Sequence, residues 1–83
     1  MLEASVDRLI AELRADGLEE EANTLDTMVH RMAWTTSSEF MGELRNALQK
    51  IRSTRRGRLS ANSKKAMADV FAIIGRPWPF FRL

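Results

Sequence analysis

The sequence predicts an all-α protein: a compact, four-helix bundle-like domain with helices at about 2–15, 18–33, 37–52 and 61–74, followed by an extended aromatic C-terminal tail. Three observations lead there. Apolar residues recur at intervals of three and four through most of the chain, the spacing of one helix face. Stop and start signals cut that pattern into four: Gly17, the hydroxyl cluster Thr35–Ser38, Gly57 with Ser60, and Gly75 with Pro77. Finally, 83 residues suffice for a single domain with one core. A chain that short buries only about 60% of its unfolded surface, so it stands to gain from any further apolar covering.

In the first helix Leu2, Val6, Leu9, Ile10 and Leu13 form the apolar stripe, and Glu3, Asp7, Arg8, Glu12 and Arg14 fill most of the other face. Asp16-Gly17 ends it, since glycine takes the left-handed conformation that closes a helix C-terminus. Leu18, Ala22, Leu25, Val29 and Met32 make a narrow seam in the second helix. Glu19, Glu20 and Glu21 at its start and His30 and Arg31 near its end carry the signs that suit the helix dipole. With two residues between them, these helices are expected to fold back antiparallel; one continuous kinked helix is the other arrangement.

Thr36 followed by Glu39 matches a capping box, with Ser37 as a rival cap, so the third helix starts at Ser37 or Ser38 and runs to Ile51 or Arg52. Its stripe is Phe40, Met41, Leu44, Ala47 or Leu48, and Ile51. Gly42 lies inside it, either a close-packing point or a tolerated surface glycine. Residues 53–60 form a basic connection, from which Leu59 is expected to tuck against the core. Ser60, Asn62 and Ser63 all suit an N-cap for the fourth helix. Ala66, Met67, Val70, Phe71, Ile73 and Ile74 make that helix the most hydrophobic, so it is expected to be the most buried. The tail, 75–83, contains two prolines that bar a regular helix; it is expected to pack on the core or on a second subunit.

Composition excludes several function classes. Without cysteine there is no disulfide, thiolate metal site or thiol nucleophile. There is no leader-like N-terminal segment and no apolar run of membrane-spanning length, so a cytoplasmic location without membrane contact is expected. His30 is the single histidine, with Asp26 one turn earlier as its expected partner. Thr27, not a glutamate, stands three residues before it, which removes the Glu-x-x-His pattern of carboxylate metal bundles. No glycine-rich phosphate loop or nucleophile elbow is present. No catalytic residue, cofactor or metal is therefore assigned, and the protein is expected not to be an enzyme.

Charge is distributed unevenly. Residues 1–43 contain ten acidic and three basic residues, a net of −7; residues 44–83 contain ten basic and one acidic, a net of +9. Seven of those cations fall between Lys50 and Lys65, with no acidic residue among them. Arg52, Arg55, Arg56, Arg58, Lys64 and Lys65 are the candidate contacts for an anion or a partner, arginine being suited to bidentate grip on carboxylate or phosphate. Trp34, Trp78, Phe80 and Phe81 are the candidate hydrophobic interface or core plug. The leading expectation is a small non-enzymatic interaction or regulatory protein that binds a protein partner, or a second copy of itself, through the basic connection, the aromatic tail or both. One alternative is a nucleic-acid-binding module that contacts phosphates through Arg52–Lys65, helped by the amides at the start of the fourth helix. Glu39 and Glu43 on the third helix argue against its reading bases in a groove. The other alternative is a small ligand-binding or enzymatic domain.

Overall fold

In a computed structural model, residues 2–31 and 37–75 are described, Ser37 and Ser38 by their backbone only. They form α1 (Leu2–Ala15), α2 (Glu19–His30), α3 (Ser37–Thr54), a single 3₁₀ turn (Arg56–Arg58) and α4 (Ala61–Ile74). The expected four-helix, all-α architecture is the architecture observed. The expectations placed on Met32–Thr36 and on residues 76–83, including Trp34 and the aromatic tail, lie outside the described residues.

The α1–α2 turn follows from Gly17. Its φ of 82° closes α1 in a Schellman arrangement: Leu18 N–H donates to Leu13 O at 2.9 Å and Gly17 N–H to Arg14 O at 3.0 Å. Leu18 is thereby turned into the core beside Leu13, and both are essentially inaccessible. Arg14 then clamps the hairpin from outside, its Nη1 donating to Glu19 at 2.7 Å and to Asn23 at 2.9 Å.

Cross-helix pairs fix the directions of all four helices. His30 at the end of α2 meets Asp7 near the start of α1, and Arg55 just past α3 meets Glu21 at the start of α2. Arg45 of α3 reaches the last carbonyls of α4, while Asp16 just past α1 meets Ser60 and Ser63 at the start of α4. Every neighbouring pair is therefore antiparallel, which is the up-down-up-down bundle. α1 lies closest to α2 and α4, and α3 closes the ring between those two; α1 and α3 make no close backbone approach among the described residues. Leucines dominate the centre: Leu9, Leu13, Leu25, Leu44 and Leu48 are fully buried, with Val6 and Val70 beside them.

Three details depart from expectation. Met28 rather than Val29 supplies the buried position in the last turn of α2; Val29 packs half-buried at the margin. α3 runs on to Thr54, its ladder continuing through Arg55 N–H to Ile51 O, and Ser53 and Thr54 turn their hydroxyls back onto Lys50 O at 3.1 and 2.7 Å. The connection thus contracts to Arg55–Ser60. In α4 Ile73 is 42% exposed, at the edge of the stripe beyond Ala66, so the buried face is narrower than a continuous apolar surface. Of the two readings of Gly42, the tolerated glycine holds, since a Cβ added there would meet nothing within 4 Å.

Candidate partner-binding groove

The charges in the sequence of α4 do not suit its ends. Its first turns carry Lys64 and Lys65, the unfavourable sign, and its last turn has no basic residue. Ser60 supplies the N-cap, accepting from Ser63 N–H at 3.1 Å. The charge comes from elsewhere. Asp16 Oδ2 accepts from Ser60 N–H at 3.0 Å and from the Ser63 hydroxyl at 2.6 Å, placing a carboxylate at the positive end of α4. The Ser60 amide, then the Ser63 hydroxyl, and more weakly Arg58, hold the Asp16 carboxyl below its usual range. At the other end Arg45 donates to Ile74 O at 2.9 Å and to Gly75 O at 3.2 Å, where Gly75 with φ 89° terminates the helix.

These contacts divide the basic segment in two. Arg55 turns towards the acidic half, its Nε 2.7 Å from Glu21 Oε2, and Glu21 is held below the usual carboxylate range chiefly by that hydrogen bond. Arg58 stands on the same side, near Gly17 and contributing to the fields at Asp16 and Glu21. Arg52, Arg56 and Lys64 point the other way. They rim a groove of about 380 Å³ where the end of α3, the 3₁₀ turn and residues 64–71 of α4 meet. Leu59, Met67 and Phe71 form its floor, and Ala68 lies on the α4 wall. The Arg52 guanidinium lies over the Phe71 ring, 5.3 Å from its centroid. Among the described residues none of the three cations has a carboxylate partner. Lys65 is exposed on α4 and does not line the groove.

The remaining candidates are resolved differently. His30 Nε2 lies 2.6 Å from Asp7 Oδ1, with Glu3 at 3.9 Å from Nδ1. Its partner is thus across the helix hairpin and not Asp26, which acts only at longer range; the Asp7 hydrogen bond raises the His30 pKa above its ordinary value. Trp34, Trp78, Phe80 and Phe81 lie outside the described residues. Among the described residues no group of three His, Asp or Glu side chains is placed to hold a metal ion, and no helix is long and apolar enough to cross a membrane. A second groove of about 470 Å³ between α2 and α3 is lined by Glu20, Glu21, Lys50 and Arg55, charges of both signs that compensate one another. The floor residues Leu59, Met67 and Phe71 were read from the sequence only as core. The signal that could have marked them was the i, i+4 pair Met67–Phe71 (residues 67 and 71) one turn beyond Lys64.

No family model matches the chain, and neither characterised proteins nor solved structures give a significant match.

Proposed function

We propose that this chain is a small non-enzymatic interaction or regulatory protein that binds an acidic partner protein through the Arg52–Arg56–Lys64 face. One observation carries the reading: the cations of the basic segment separate into a set neutralised within the fold and a set gathered, without carboxylates among the described residues, around an apolar floor. Like charges held together raise the local potential and favour an anionic partner.

Phosphate binding has less support. Two of the four amides at the start of α4 are already used, Ser60 N–H by Asp16 and Ser63 N–H by the Ser60 hydroxyl. A phosphate arriving there would meet the Asp16 carboxylate.

The test is a pull-down from extract of the native cell with wild-type protein and with an Arg52→Glu/Arg56→Glu/Lys64→Glu variant, each with and without nuclease. A protein retained by the wild type, lost with the variant and indifferent to nuclease supports the proposal. Retention that disappears on nuclease treatment, or that survives the charge reversal, overturns it.

A further inference from the structure

We infer that the groove takes a short acidic peptide segment of the partner, with one large apolar side chain seated on the Leu59–Met67–Phe71 floor and flanking carboxylates on Arg52, Arg56 and Lys64. This rests on the proposed acidic-partner reading and specifies what that partner presents. Size is the first argument: at about 380 Å³ the groove lies near the lower end of the roughly 300–1,000 Å³ range of formed binding pockets. That space suits one or two large side chains and does not suit the face of a helix. Chemistry is the second. The floor residues are held by the core, at 7%, 2% and 3% exposure respectively, so the base of the groove is fixed in shape, and most of its accessible lining comes from the side chains of Arg52, Arg56, Lys64 and Ala68. Position is the third. Arg52 lies over Phe71, so a carboxylate beside a side chain on the floor meets a guanidinium already placed at the groove. An apolar floor contributes nothing to a phosphate backbone, whereas it anchors a side chain between two carboxylates.

Fluorescence anisotropy at low ionic strength tests this with a labelled, terminally blocked pentapeptide having phenylalanine between paired glutamates, against the same peptide with central alanine. A single-stranded oligonucleotide of matching charge is the third probe. The phenylalanine peptide should bind about tenfold or more tighter than the alanine peptide, a modest share of the transfer energy of a phenyl ring. Arg52→Glu/Arg56→Glu should weaken both peptides by at least about tenfold. Ala68→Trp, at an exposed wall position, should fill the groove and erase the preference for phenylalanine while leaving the charges in place. Circular dichroism checks that each variant keeps its helix content. Equal binding of the two peptides to wild type overturns the groove inference but leaves the acidic-partner reading intact. Absence of binding by either peptide overturns both. Tighter binding of the oligonucleotide also overturns both, in favour of nucleic acid.

Discussion

Arg55 and Arg56 are adjacent in sequence and have opposite fates. Arg55 spans the bundle to Glu21, a residue 34 positions earlier, whose side chain is 15% exposed in the pair; Arg56 turns to solvent at the edge of a groove with an apolar floor. Arg58 follows the first towards Asp16, and Arg52 and Lys64 follow the second. The separation arises because α3 ends at Thr54 and a 3₁₀ turn succeeds it, so consecutive side chains leave the axis on different sides. The contrast teaches that a run of like charge is not one object. Part of it balances the acidic half of the chain from inside the fold, and part is left as an outward field, in proportions that net charge cannot give.

The contrast can be broken most forcefully at Phe71, which belongs to the groove floor and the core together. At 3% exposure, Phe71→Ala should destabilise the protein by about 3–5 kcal/mol, a large share of what a domain this small holds, and urea denaturation will read it. Loss of the groove with retained stability would show that floor and core are separable. A smaller effect is expected at Asp16, on the inward side. Asp16→Asn keeps an acceptor but loses the charge, and should lower the denaturation midpoint near neutral pH. The sign with pH is definite: the folded Asp16 pKa is depressed, so its contribution is complete above the ordinary value of 3.8 and lost as pH falls through the folded value. The gap between variant and wild type should therefore narrow as the midpoint is followed from about pH 7 to about pH 3. A gap that persists in acid would mean that the charge is not what Ser60 and Ser63 require. The smallest effects sharpen the comparison most. Arg55→Gln should lower the midpoint in a way that fades with added salt, whereas Arg56→Gln should leave stability within about 0.5 kcal/mol and weaken only acidic-peptide binding. Equal destabilisation by the two would erase the distinction between faces.

The helices were legible because Leu9, Leu13, Leu25, Leu44 and Leu48 repeat with helical period, and because Asp16-Gly17, Ser60 and Gly75 are turn and cap residues with local reasons for their roles. Thr54 was missed as helical since the apolar pattern stops at Ile51, while the backbone ladder continues through polar residues that carry no periodicity to detect. Ser63 was a rival cap by composition, and only the structure shows it buried and donating to Asp16, 47 positions away. The partner of His30 was sought one turn away on α2 and lies on α1. Such pairs depend on how each helix is rotated against its neighbours. A stripe fixes that rotation only to within the width of an apolar face, which is wider than the aim of a single arginine. The six candidate cations were read as one basic group; their division, and the apolar floor beneath three of them, required the meeting of α3 and α4.

The way α4 is held at both ends has a consequence for assembly. Asp16 reaches its N-terminus from the turn after α1, and Arg45 reaches its C-terminus from α3. A peptide of the α4 sequence alone would have two lysines near its positive end and no cation at its negative end, so its helix would be poorly populated in water. α4 therefore depends on the rest of the bundle for its conformation, and the groove of which it forms one wall is a property of the whole chain. Any ligand bound there is linked thermodynamically to global unfolding: each tenfold of free ligand above its dissociation constant adds about 1.4 kcal/mol to the stability of all four helices together.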